Sequence, residues 1–176
     1  MPVRPELVSW VYDTATLSAS HKAGADALGL VVRCSHTPRT GFTVKDALDQ
    51  IRLLREQGIK TYILIAGSVA QSDLAQIARA IVEAGCAGAQ AAALSDFGVA
   101  VIVRKSLPDL PLFMGMDNPV ATIGGAHQAR ELGFSRVTVS PFISRDEMKN
   151  IVSQPGETEV CTAWPGCAPG IVHQDW

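Results

Sequence analysis

Apolar positions along the chain fall into a repeating two-part pattern: a short continuous apolar run, then a longer stretch with apolar residues three and four apart. Runs of the first kind are residues 7–12, 28–33, 61–66, 110–116 and 136–140. Their length and lack of alternation predict strands buried on both faces. A weaker run of small residues, 87–94, holds the fourth place in the rhythm, and 158–164 the seventh. Between them the spacing predicts helices. Asp13 or Thr14 caps the first, which closes at Gly24. Thr43 caps a second with a stripe of Val44, Ala47, Leu48, Ile51, Leu53 and Leu54, ending at Gly58. Ser72 caps a third ending at Gly85, Ser95-Asp96 a fourth, and Ser144 with Glu147 forms a capping box for the last. Asp117-Asn118-Pro119 reads as the start of the fifth helix, with its regular part from Gly125 to Leu132 and Gly133 as the stop.

Six βα units and a seventh strand imply a parallel sheet. No glycine-rich dinucleotide fingerprint follows the first strand, which favours a (β/α) TIM-barrel-like fold over a doubly wound sheet. A complete barrel takes roughly 250 residues; 176 residues make an incomplete one. Residues 1–164 form the barrel-like domain and 165–176 an irregular Pro/Gly-rich tail. Sheet edges left open by missing units call for a homo-oligomer or a heteromeric partner.

Composition changes this picture little. Apolar residues make up 47% and charged ones 18%, as in an α/β protein with a covered sheet. A net charge of -2 gives no footprint for nucleic acid. No run approaches a membrane span and the first residues lack a signal-peptide core, so the expectation is a cytoplasmic protein whose four cysteines are thiols or metal ligands.

Parallel sheets place their chemistry at the carboxyl ends of the strands. That rule gathers Arg33, Cys34, His36, Asp96, Asp117, Asn118 and Cys161, with Cys167 following in the tail. Cys34, Cys161 and Cys167 are thiolate candidates for iron–sulfur or zinc, with His36 or His173 as a further ligand; as thiols alone they read equally as small buried residues. Cys86 falls after a helix, at the other mouth, in a structural place. Asp96 and Asp117 suit paired acid–base work, and both also stand where a helix needs a cap. Arg33 and Arg39 are bidentate donors for a carboxylate or phosphate, or loop arginines facing water. No nucleophile elbow, phosphate loop or metalloprotease helix motif is present.

Several segments together resemble the amino-terminal barrel half of peptidase family U32, the collagenase-like peptidases. They are Gly24-Ala-Asp-Ala-Leu-Gly-Leu, Glu56-Gln-Gly-Ile-Lys-Thr-Tyr, Leu94-Ser-Asp-Phe-Gly, Pro108-Asp-Leu-Pro-Leu, Glu131-Leu-Gly-Phe-Ser-Arg-Val and Ser140-Pro-Phe-Ile-Ser-Arg-Asp-Glu. The family includes proteins described as peptidases and cluster-bearing relatives that support oxygen-independent hydroxylation of ubiquinone precursors or RNA bases. By that resemblance Cys34, in Val32-Arg-Cys-Ser-His, stands where a cysteine binds a [4Fe–4S] cluster, and Glu159-Val-Cys-Thr-Ala-Trp-Pro-Gly-Cys falls at the family signature. The resemblance implies Cys34, Cys161 and Cys167 as ligands, Arg33 as the holder of an organic acid, and an aromatic molecule as the substrate that receives the hydroxyl group; a small aromatic or organic-acid ligand is the expected partner. Peptidase activity is the second reading, and a non-catalytic binding module that needs a partner the third.

Overall fold

The computed structural model describes residues 5–33, 40–65 and 69–160. The chain divides into two compact units, Met1–Leu112 and Phe113–Trp176. In the first, β1 (Val8–Val11), β2 (Ala27–Val32), β3 (Lys60–Ile65) and β4 (Ala91–Leu94) alternate with α1 (Thr14–Lys22), α2 (Val44–Glu56), α3 (Leu74–Ala87) and α4 (Phe97–Ser106). All three strand pairs are parallel. In the second, α5 (Ile123–Glu131), β6 (Phe134–Val139), α6 (Arg145–Val152) and β7 (Glu157–Val160) follow β5 (Leu112–Met114), and β6 pairs with β7 in parallel. Within each unit the strand order follows chain order. This is the α/β, incomplete TIM-barrel-like fold that the alternation predicts.

Every residue of β2 is buried, as is every residue of β3 after Lys60, which explains their uninterrupted apolar sequence. Their two faces are distinguished by β1. Ser9 Oγ donates to Ser20 Oγ of α1 at 2.8 Å, so Ser9 faces the helical layer. By alternation Trp10 faces the other way, and the register places Gly29, Tyr62 and Ala91 beside it in one row. Large and small residues share that row, and Trp10 fills the space over Gly29.

Helix starts follow the capping chemistry closely. Asp13 and Thr16 form a reciprocal box at α1, as do Ser144 and Glu147 at α6. Thr43 accepts from the Asp46 N–H, and Asp96 from those of Gly98 and Val99. Along α2 the predicted stripe buries Ala47, Leu48, Ile51 and Leu54, whereas Leu53 is exposed.

Three expectations are corrected. Asp117-Asn118-Pro119 does not start α5; Thr122 caps it, accepting from the Gly125 N–H, so the helix takes in Gly124 and Gly125. The preceding residues are instead drawn against β6, where Val120 bridges Val139. Second, α3 does not stop at Gly85 but runs to Ala87, and Gly88, with φ of 122°, provides the left-handed stop. Gly85 has another reason to lack a side chain: a Cβ there would come within 2.8 Å of Leu107 Cδ1. Cys86 therefore lies within a helix and is exposed rather than packed. Third, Ser72 is not the cap of α3; Asp73 holds that place and makes no side-chain cap bond.

Candidate functional site

The carboxyl ends of the strands are built differently in the two units. In the first, β1 runs into half-buried Tyr12 and exposed Asp13, and β2 into exposed Arg33. The chain beyond Arg33 returns to the same strand. The Phe42 N–H donates to the Val31 carbonyl at 2.8 Å, and the Arg33 N–H to the Phe42 carbonyl at 3.0 Å. Gly41 permits this return: with φ of 133°, its Cβ would lie 2.8 Å from the Val31 oxygen and 3.1 Å from Arg33 Cγ. Both ends of the loop carrying Cys34 and His36 are thus fixed to β2, while Cys34 and His36 themselves lie outside the described residues.

At the end of β4, Asp96 is half-buried and heavily committed. Its Oδ1 accepts from Gly98 N–H at 2.8 Å and Val99 N–H at 3.2 Å, and its Oδ2 accepts from Val69 N–H at 3.4 Å. One carboxylate therefore starts α4 and also holds the segment that leads into α3. Asp13 has the same duty at α1, and the Thr16 backbone N–H, then the Thr16 hydroxyl, hold its carboxyl below the usual range. These are structural carboxylates first.

In the second unit the loop after β5 is laced to β6. Val120 N–H donates to the Thr138 carbonyl and Ser140 N–H to the Val120 carbonyl, both at 2.8 Å, while Thr138 Oγ1 donates to the Met114 carbonyl at 2.9 Å. The result is a fixed platform bearing exposed Asp117, half-buried Asn118 and, from the loop after β6, Phe142. Phe142 is 73% exposed, and its N–H donates to Ser140 Oγ at 3.3 Å. Sequence reasoning missed it, because an apolar residue inside Ser140-Pro-Phe-Ile-Ser has no periodicity to show which way it faces.

Cys161 and Cys167 also lie outside the described residues. Among the described residues no group of three or more His, Cys, Asp or Glu side chains is placed to hold a metal ion. Asp96 and Asp117 fall in different units and are not a described pair.

The model of peptidase family U32 matches residues 13–163. The chain belongs to this family. Of solved structures, a U32 peptidase, Mk0906, superposes with a TM-score of 0.72 at 16% identity, covering 89% of this U32 chain and 68% of that one. Thiamine phosphate pyrophosphorylase from Pyrococcus furiosus follows at 0.59 and 15%, with 88% and 73% covered. Phosphonopyruvate hydrolase gives 0.57 and 15%, with 89% and 66% covered. At these identities the likeness is one of fold. No curated protein sequence matches. In this U32 chain no described helix is long and apolar enough to cross a membrane.

Proposed function

We propose that this U32-family protein carries a thiolate-bound iron–sulfur centre and supports oxygen-independent hydroxylation, working at the carboxyl ends of its strands. The observation that carries the reading is the place of Cys34. In sequence it follows Arg33, the residue after a wholly buried strand, and the described residues on either side, Arg33 and Phe42, are hydrogen-bonded to each other and to that strand. Such anchoring favours a ligand loop, since a metal ligand needs a fixed origin. Cys161 follows the last residue of β7 directly, which gives a second thiol in the corresponding chain position. Thiols are the donors that iron–sulfur chemistry prefers. Arg33, exposed beside Cys34, supplies a fork for the carboxylate or phosphate of an organic acid.

A peptidase is the second reading, favoured by the family and by the likeness to the U32 peptidase Mk0906. Against it, the described aspartates at strand ends in the first unit are engaged in helix caps. Electron paramagnetic resonance of anaerobically purified, dithionite-reduced protein separates the two when casein hydrolysis is followed in parallel. A cluster signal without hydrolysis is the expected result. Hydrolysis by signal-free protein would replace this reading with the second.

A further inference from the structure

We propose that Arg130 is the fork of an anion site in the second unit, built to take a small oxyanion, a carboxylate or phosphate group, beside the turn that leads into β7. That turn precedes β7 in the chain whereas Cys161 follows it, so the site goes beyond the reading above and does not depend on it. Among the described residues four buried side-chain polar atoms have no hydrogen-bond partner, and two of them are Nε and Nη2 of Arg130. The other two are threonine hydroxyls, which are neutral. Arg130 alone of these groups carries a charge, and a buried charge without an acceptor is costly.

The two nitrogens belong together. In a guanidinium the Nε–H and one Nη2–H point the same way, and that edge takes both oxygens of a carboxylate or phosphate. Arg130 leaves the whole edge unsatisfied.

Local structure explains how the edge is held. Arg130 lies in the last turn of α5, where a cation suits the helix dipole but these two nitrogens gain no acceptor. Its guanidinium packs against Gly156, an exposed residue of the turn between α6 and β7. A Cβ at Gly156 would lie 2.6 Å from Arg130 Nε and 3.3 Å from Cζ, so the missing side chain makes the cradle. An anion reaches the edge by shifting that short exposed turn.

The carboxylates of the two adjoining helices are committed elsewhere. Glu131 faces His127 at 3.6 Å, Asp146 faces Lys149 at 3.5 Å, and Glu147 accepts from the Ser144 N–H at 2.8 Å. A cation with an empty fork, and no carboxylate of α5 or α6 assigned to it, calls for an anion from outside.

Urea unfolding of the full chain tests this in dilute Tris chloride with added sodium phosphate or acetate, against sodium chloride at equal ionic strength. One of the oxyanions is expected to raise the wild-type midpoint beyond chloride, with half the effect at about 1 mM. The stronger of the two names the group. Arg130→Met is expected to weaken the response about tenfold or more and, without oxyanion, to be at least as stable as wild type. Arg130→Lys keeps the charge without the fork and is expected to lose most of the response. Phosphorus-31 line broadening of inorganic phosphate by wild type, absent with Arg130→Met, reads binding apart from stability. Equal effects of phosphate, acetate and chloride on wild type, or an undiminished response in Arg130→Met, would overturn the proposal. So would a response that appears only in Glu157→Gln, which would give the edge to the chain's own carboxylate next to Gly156 in sequence.

Discussion

Trp10 of β1 occupies the space that a side chain on Gly29 of β2 would fill: a Cβ there would lie 2.0 Å from Trp10 Cε3 and 2.2 Å from Cζ3. The two residues are register partners, so the indole lies flat across the neighbouring strand. Gly29→Ala is therefore an overpacking change inside a fully buried strand. It is expected to destabilise by about 1–3 kcal/mol in urea unfolding. Trp10→Leu in the same chain should recover part of that loss, since the two sites share one space. Additive losses would show that the ring does not press on Gly29.

Asp96 offers a test of structure against chemistry. Asn caps helices as well as Asp does. Asp96→Asn keeps the cap but turns the acceptor of the Val69 N–H into a donor, so it is expected to lose less than Asp96→Ala, which loses about 1 kcal/mol or more. Denaturant unfolding checks both. If Asp96→Asn lost as much as Asp96→Ala, the cap would not be the source of its stability.

At the other end of the strands, Tyr62 ties the chain start to β3. Its hydroxyl donates to both Glu6 carboxylate oxygens at 2.9 Å, and Lys60 Nζ lies 2.7 Å from Glu6 Oε1. Tyr62 is 2% exposed, so Tyr62→Phe removes a buried bond to a charged group, at a cost of about 1.5–3 kcal/mol. The Lys60 side chain is 45% exposed, so Lys60→Met is expected to cost under about 1 kcal/mol. The Glu6 hydrogen bond, chiefly, raises the Lys60 pKa. A raised pKa favours the fold below the unfolded lysine value of about 10.4, and the gain is lost as pH rises through the folded value. Unfolding followed from pH 9 to 12 should show this alkaline loss weakened in Lys60→Met.

The acid limb belongs to the caps. The Ser144 hydroxyl, then its backbone N–H, hold the Glu147 carboxyl below its ordinary value. A lowered pKa adds stability above the unfolded value of about 4.3, and that stability disappears as pH falls through the folded value. Glu147→Gln is expected to flatten the stability profile between about pH 5 and pH 3 relative to wild type. An identical acid limb in the two proteins would show that Glu147 does not contribute to it.

Much of this fold is legible because its local signals agree with its tertiary ones. β2 and β3 are continuous apolar runs since both faces are covered, and the caps at Asp13, Thr43, Asp96 and Ser144 use side chains that reach their own backbone. The start of α5 was hidden because a long-range pairing decides it. Val120 binds β6, and the helix can begin only after that strand contact ends. Gly85 and Gly88 look alike in sequence; packing against Leu107 and a left-handed φ tell them apart. Arg33 stands directly after β2 and Asp96 caps α4, the places that strand length and capping chemistry give them in the sequence. Asp117 and Asn118 were placed at the correct strand end with the wrong local role. Phe142 escaped because exposure is a property of the folded surface.

Iron and acid-labile sulfide, measured on anaerobically purified wild type and Cys34→Ala, test the central claim most directly. The account predicts near-stoichiometric iron and sulfide in wild type and their loss in Cys34→Ala, with the fold retained by circular dichroism. An iron-free wild type, or iron that survives the substitution unchanged, would contradict it.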